Sequence, residues 1–408
     1  MFEKTVSIMG GCGHVGLPLA IALAEAGFQT AIYDVDRSAC ELVRSGRMPF
    51  HDDGADDALP QVLASGRLTV TTEPAVIRQT QFLICVVGTP VDEFLNPTDH
   101  RLFAALEGIR SHMRDGQVLV LRSTLFPQTS QRVHRMFAEL GPQIDVALCP
   151  ERVAQGRGFV EIKSLPQIVS AFSERGRAAC RFLFAPFGVE LIEVEPLEAE
   201  LIKLFNNVWR YITFAVANQF FTIANDYGLD YYRIHRALTY KYPRGSNIPG
   251  AGFAAGPCLF KDTMQLSAFS SHGFLMGHTA MLVNEGLPLY IVQRLEAKYD
   301  LAAMTVGILG MAFKADCDDT RDSLAFKLRR ILATRARRVV CSDRHVGRDA
   351  LLAASKQLRP ADVLDTDQAI AQSDLIIVGV PHREYSSLDF QGKPVVDIWN
   401  FLGQGSII

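Results

Sequence analysis

Three glycines constrain the start of this chain. Gly11-Cys12-Gly13-His14-Val15-Gly16 lies between an apolar, strand-like run at residues 6–9 and a helical pattern at residues 15–26. Gly11 permits a tight turn, Gly13 lets the backbone approach a pyrophosphate, and Gly16 lets helix and strand pack closely. Free amides at the helix N-terminus, His14 and Val15 among the residues there, then face the phosphates. The next strand-like run, residues 30–33, is followed by Asp34, 18 residues past Gly16. A carboxylate at that place accepts hydrogen bonds from ribose hydroxyls and repels a 2′-phosphate, which points to NAD rather than NADP. Flavin nucleotides use the same fingerprint, and a glycine turn with no ligand is the plain alternative. His14, a lone histidine, reads as structural rather than catalytic.

The fingerprint opens a longer alternation. Strand-like runs recur at residues 82–87, 118–122 and 145–149, with helix-length stretches between them. They are too apolar to be solvated on one side, which predicts a parallel sheet covered by helices on both faces. The character then changes. From residue 196 to 227 there is no internal glycine and no proline after Pro196, and Gly228 follows as a stop. Such a helix spans ~45 Å at 1.5 Å per residue. It is apolar nearly all round, which predicts burial between domains or subunits. A second helical stretch, residues 264–298, follows a loop rich in glycine and proline. Strand-like runs return at residues 306–309, 338–341, 375–380 and 395–398. The expected architecture is therefore α/β: an N-terminal Rossmann domain at 1–195, an all-α middle domain with a long central helix at 196–298, and a C-terminal Rossmann-like α/β domain at 299–408.

A length of 408 residues suggests two or three domains at ~150 residues each. The net charge of −3 argues against a basic surface for nucleic acid. No run reaches the ~18 apolar residues of a membrane helix. The N-terminus enters a strand directly and has no signal-peptide layout. Eight cysteines, none in a C-x-x-C pair, scatter through mostly apolar segments, the pattern of a reduced cytoplasmic protein with buried thiols. No metal is expected.

Two polar groupings interrupt these apolar patterns. Lys203, Asn207 and Arg210 are spaced i, i+4, i+7 and share one face of the long helix. Either that face is solvated, or Lys203 and Asn207 point at developing negative charge. The second grouping is Gly256-Pro257-Cys258-Leu259-Phe260-Lys261-Asp262. Pro257 reads as a first-turn residue, which sets Cys258 at a helix start where the dipole and Lys261 favour thiolate. Asp262 follows one turn later. A buried packing cysteine is the bland reading; a nucleophile with a nearby base is the sharper one.

Taken together, these motifs resemble those of the UDP-glucose/GDP-mannose dehydrogenase family, over essentially the whole chain. The matching segments are GCGHVGLPLA at 11–20, Val87-Gly88-Thr89-Pro90, Arg122-Ser123-Thr124, Cys149-Pro150-Glu151-Arg152-Val153, LIKLFNN at 201–207, the C-x-x-K-D of 258–262, and GMAFKADCDDTRDS at 310–323. The resemblance implies NAD as cofactor, a nucleotide sugar as substrate, and four-electron oxidation at C6 to the uronate. It implies Cys258 as nucleophile, Asp262 in the base network, and Lys203 and Asn207 as oxyanion stabilisers. Glu151 would activate the hydrolytic water and Thr124 would help to place it. Thr89, Thr124, Lys261 and Arg321 would face the cofactor. Arg152, Phe313 and Lys314 would hold the nucleotide sugar, with Arg244 lent by a neighbouring subunit of a homodimer built on the middle domain. The chain departs from the family pattern at Ala255, where glycine is frequent, at Gln155, where some members have glutamate, and at Trp399, where a late D-x-R-N-like element has arginine.

The sugar is less sharply marked. The Pro-Glu-Arg-Val segment and the Tyr-Pro-Arg…Asn-Ile-Pro loop resemble enzymes of UDP-N-acetylhexosamines, whereas Lys261-Asp262-Thr263 resembles those of UDP-glucose. Two other readings are a two-electron hydroxy-acid dehydrogenase and a silent nucleotide-sugar-binding protein. The first would need neither Cys258 nor a second α/β domain. The second would not need the Lys203, Asn207, Cys258 and Asp262 set.

Overall fold

The computed structural model describes residues 2–92, 98–271 and 273–408. Two compact units form, Met1–Asn206 and Asn207–Ile408. The helix Pro196–Asp226 contributes to both.

The first unit is built on eight strands: β1 (Thr5–Met9), β2 (Gln29–Tyr33), β3 (Leu68–Thr71), β4 (Phe82–Cys85), β5 (Val118–Leu121), β6 (Asp145–Leu148), β7 (Gln167–Ala171) and β8 (Leu191–Glu193). Their order is β3-β2-β1-β4-β5-β6-β7-β8. All pairs are parallel except β6 with β7. Alternate side chains serve opposite faces, as the strand period demands. Val6, Ile8, Phe82, Ile84, Val118 and Val120 join the core beneath the helices Gly16–Glu25 and Glu174–Phe184. Met9, Leu83, Cys85, Leu119 and Leu121 join the core of the other face. Burial on both faces explains why these strands read as continuous apolar runs.

Strand order reverses between β1 and β4, so the crevice outside their carboxyl ends is the expected ligand position. The register makes that edge level. Met9 pairs with both Tyr33 and Cys85, Cys85 with Leu121, and Leu121 with Leu148. The residues that follow these strands therefore form one row: the glycine turn, Asp34, 86–89, 122–124 and 149–152.

In the second unit, β9 (Thr305–Leu309), β10 (Arg338–Ser342), β11 (Leu375–Val378) and β12 (Val395–Val396) form a parallel sheet in the order β10-β9-β11-β12. Here the order reverses between β9 and β11. Asp343, after β10, occupies the place that Asp34 occupies after β2. Its carboxylate is already used: it accepts from the Met311, Ala312, His345 and Val346 amides and from His382 Nε2. It is a structural clasp for this loop rather than a ribose acceptor. Asp316, His345 and His382 lie within ligating distance of one another. Both His382 nitrogens are engaged, Nδ1 by the Asp316 amide at 2.9 Å and Nε2 by Asp343 at 3.2 Å, so the cluster closes on itself.

Several element bounds differ from the sequence expectation. The stretch 264–298 is not one helix but parts of two, Leu259–Phe269 and Leu275–Glu296. Ser271 takes a left-handed φ of 52° between them, which ends the first helix. Pro257 lies ahead of its helix rather than in the first turn, and Cys258 takes the N-cap position. The long helix leaves a stripe exposed, Phe205, Trp209, Val216, Phe220 and Ile223, which Tyr227 continues just past its end. Among the described residues no helix is long and apolar enough to cross a membrane.

Candidate active site

The glycine turn has the shape that a dinucleotide requires. A Cβ at Gly11 would lie 2.9 Å from the Ile8 carbonyl oxygen, and one at Gly16 would lie 2.6 Å from the Gly11 Cα. Both positions are closed to larger residues. At Gly13 only the Gly10 oxygen comes within 4 Å, at 3.9 Å, so this stretch of backbone stays open on the outside. Asp34 Oδ2 accepts from the Cys12 amide at 2.9 Å, and Oδ1 from the Asp36 amide at 3.1 Å. The carboxylate is thus held at the edge of the turn. Val15 is the N-cap residue of Gly16–Glu25. The His14 ring packs on Phe50 with centroids 3.9 Å apart, and its Nε2 lies 3.2 Å from the Gln155 amide nitrogen. These residues fit NAD: an open backbone loop at a helix start and a carboxylate one strand over.

Farther along the row, the Thr89 hydroxyl donates to the Thr124 carbonyl, tying the ends of β4 and β5. Glu151 is buried, and its carboxylate is nearly surrounded. Arg122 donates to Oε2, while the Arg152 and Val153 amides donate to Oε1 at 2.7 and 3.0 Å. Arg122 is fully buried too, and donates to the Cys149 carbonyl at 3.1 Å and the Gln167 side chain at 3.0 Å. Burial pushes the Glu151 carboxyl up, but Arg122, the two amides and Lys203 outweigh it and hold it below the usual carboxylate range. The result is a charged acceptor of low basicity. Arg152 donates from Nη2 to the Pro166 carbonyl. Sequence reasoning did not single out Arg122 for this role. A cation ending an otherwise apolar strand was the available signal.

In the second unit, Cys258 is exposed while the other seven cysteines are buried. One turn on, Asp262 is fully buried. Its Oδ2 accepts from Asn207 Nδ2 at 2.6 Å, and Lys261 Nζ lies 2.8 Å from Oδ1. Arg321 is gripped by Asp319, at 3.0 Å through Nε and 2.6 Å through Nη2, and it shares its field with Cys258. Phe313 donates its amide to the Asp319 carbonyl at 2.9 Å, and Lys314 Nζ lies 5.9 Å from the Phe313 ring centre. Arg244 sits on an exposed loop, where its Nε donates to the Tyr242 hydroxyl at 3.0 Å. The unit thus brings together a solvent-accessible thiol, a buried carboxylate, an amide donor and two cations. Such a set can add a nucleophile to a carbonyl and stabilise the oxyanion.

A dinucleotide-binding turn in the first unit and an exposed thiol beside a buried carboxylate in the second are the parts of an NAD-linked oxidoreductase. Comparison with known proteins agrees. Three family models match: the UDP-glucose/GDP-mannose dehydrogenase NAD binding domain at residues 4–188, the central domain at 197–285 and the UDP binding domain at 307–404. The chain belongs to the UDP-glucose/GDP-mannose dehydrogenase family, and NAD is its cofactor. It is 27% identical to a UDP-N-acetyl-D-mannosamine dehydrogenase of Pyrococcus horikoshii, over 93% of this chain and 90% of that one. It is 26% identical to a Yersinia pestis protein of the same name, over 97% and 99%. Among solved structures it resembles a UDP-glucose dehydrogenase from Pyrobaculum islandicum, with a TM-score of 0.88 and 29% identity over 97% of this chain and 94% of that one.

Proposed function

We propose that the protein oxidises a UDP-sugar at C6 to the uronic acid in two successive NAD-dependent steps, through a covalent intermediate on Cys258. The observation that carries this reading is Cys258 itself: the exposed thiol among eight, at a helix N-cap, one turn from a buried carboxylate. An alcohol-to-acid conversion removes four electrons, and bound NAD supplies a two-electron hydride acceptor each time. Lys203 and Asp262, with a water, take the C6 hydroxyl proton. Cys258 attacks the aldehyde to give a thiohemiacetal, which prevents its escape and becomes a thioester at the second oxidation. Lys203 and Asn207 stabilise oxyanion character, with a well-aimed donor worth ~3 kcal/mol. Glu151, with Thr124, orients the water that releases the acid.

Gly11, Gly13, His14, Val15, Gly16, Asp34, Thr89, Thr124, Lys261 and Arg321 are assigned to the cofactor. Glu151, Arg152, Lys203, Asn207, Arg244, Phe313 and Lys314 are assigned to the substrate. In this reading 1–195 binds NAD, 196–298 carries catalytic residues and the dimer contact, and 299–408 holds UDP. The exposed stripe from Phe205 to Tyr227 is the face of a homodimer, and the compartment is the cytoplasm. For the sugar, the named relatives and the Pro-Glu-Arg-Val segment support an N-acetylhexosamine, with UDP-glucose as the second candidate.

Two experiments follow from this. Stoichiometry is the first: with UDP-N-acetylmannosamine, UDP-N-acetylglucosamine, UDP-glucose, UDP-galactose and GDP-mannose supplied in turn, the true substrate will yield two NADH per uronate. One NADH per sugar would overturn the four-electron scheme, and binding without NADH would identify a silent protein. The second concerns Asp34. Asp34→Ala removes a charged acceptor worth ~1.5–3 kcal/mol and will raise the NAD KM by about 10- to 100-fold, while NADP improves relative to NAD. Asp34→Asn, which still accepts from the Cys12 amide, separates loss of the ribose contact from loosening of the turn. An NAD KM unchanged in both variants would remove Asp34 from the cofactor site.

A further inference from the structure

The residues leading to Cys258 are fastened at two glycines. At Gly252 one side chain holds both main-chain groups. The Gly252 amide donates to Asn218 Oδ1, and its carbonyl accepts from Asn218 Nδ2, each at 2.9 Å. Asn218 is fully buried, and so is Asn284, whose Oδ1 accepts from Asn218 Nδ2 at 2.9 Å. Asn284 in turn donates to the Tyr211 carbonyl at 3.0 Å. A side-chain amide paired with a peptide on both sides repeats one rung of a β-ladder, so the chain course at Gly252 is dictated by the long helix.

The other side of Gly252 is covered by Trp399. A Cβ at Gly252 would lie 2.0 Å from Cζ3 and 2.2 Å from Cε3 of that ring. The ring cannot yield cheaply. Its Nε1 donates to the Val378 carbonyl at the end of β11, at 3.2 Å, and Phe253 meets it edge to face with centroids 6.2 Å apart. Four residues on, the Gly256 amide donates to the Asp322 carbonyl at 3.3 Å. A Cβ there would lie 2.5 Å from the Phe313 ring. Cys258 follows two residues later.

We propose that Trp399 is a positioning residue for the reaction: it seats Gly252 against the Asn218–Asn284 pair and so sets where Cys258 presents its thiol. The inference rests on the reading of Cys258 as the nucleophile. Its physical basis is that a misplacement of about 1 Å at a reacting atom costs about 10²-fold in rate. Trp399 itself touches the backbone of Gly252 and the ring of Phe253.

The test uses Gly252→Ala, Trp399→Leu and the double variant in the full-length enzyme. Two quantities are read: kcat and KM for the nucleotide sugar, and the rate of iodoacetamide alkylation of the native protein. Seven of the eight cysteines are buried, so alkylation reports on Cys258. Gly252→Ala is expected to lower kcat about 10²-fold with KM within about threefold, and to change the alkylation rate at least about threefold. Trp399→Leu frees the space above residue 252 but loosens the seat, and is expected to cost about tenfold in kcat. The φ of 157° at residue 252 strains any side chain whatever stands opposite, so the double variant is expected to fall between Gly252→Ala and Trp399→Leu in kcat. A double variant slower than Gly252→Ala alone would overturn the proposal. So would a wild-type alkylation rate in Trp399→Leu, and that result decides the matter even if Gly252→Ala does not fold. Alkylation does not depend on what Cys258 does in turnover. Normal uronate production by Cys258→Ser would therefore overturn the reaction scheme on its own, while alkylation still decides the positioning.

Discussion

Cys258→Ser protein will make uronate at least about 10³-fold more slowly than wild type, the scale on which loss of a nucleophile acts. The cause is chemical, not structural. A thiol titrates near pH 8.5 and supplies thiolate at neutral pH, whereas a serine hydroxyl does not ionise there and attacks only with an adjacent strong base. The fold predicts little change in stability. Cys258 is exposed, at the start of Leu259–Phe269, and serine differs from cysteine there by one atom. The variant should therefore stay within about 0.5 kcal/mol of wild type. Activity falls while stability holds. Uronate by mass spectrometry, NADH by absorbance and the thermal midpoint form the set of measurements. Uronate formation at a rate near wild type would sink the covalent scheme, because nothing else in the proposal retains the aldehyde between the two oxidations.

What the residues reveal directly, and what they hide, divides by distance along the chain. The glycine turn, Asp34 and the Cys258–Asp262 pair are local: each is set by spacing within one strand–turn–helix unit or one helical turn. Such patterns are legible because backbone geometry alone brings the groups together. The apolar strands are legible for a similar reason, burial on both faces. The strands β3 and β8, by contrast, lie toward or at the sheet edge and carry exposed positions, so their short runs give little signal. The contacts that tune the site are not local. Arg122 and Glu151 are 29 residues apart, and Asn207 and Asp262 are 55 apart. Trp399 reaches Gly252 from near the other end of the chain. No periodicity in one segment encodes a partner in another, and a resemblance at position 399 marks only that a basic residue has been replaced. The ring found there is a packing element, and its consequence becomes visible only beside the glycine that admits it.

The Arg122–Glu151 pair carries the second large effect. Their side chains are 0% and 8% exposed. Arg122→Met keeps most of the volume but leaves a buried carboxylate without its cation, a loss of about 3–5 kcal/mol. The pH dependence fixes the cause. In the wild type the folded-state pKa of Glu151 is depressed, so its contribution is fully present above the unfolded value near 4.5 and is lost as pH falls through the folded one. In Arg122→Met, burial acts with less opposition and drives the carboxyl upward, so the variant gains stability as it takes up a proton. The deficit measured by urea unfolding should therefore be largest at neutral pH and shrink toward pH 4.5. Cys149 and Lys203 also face this cluster, so Glu151→Gln is needed as a partner variant. Added to Arg122→Met, it should recover part of the loss at neutral pH and little of it in acid. A deficit independent of pH would mean that Arg122 acts through its hydrogen bonds to Cys149 and Gln167 and its packing on Phe184 alone. A pH-dependent deficit would show that the guanidinium holds Glu151 charged, which suits a group that orients water and hands its proton onward rather than keeping it.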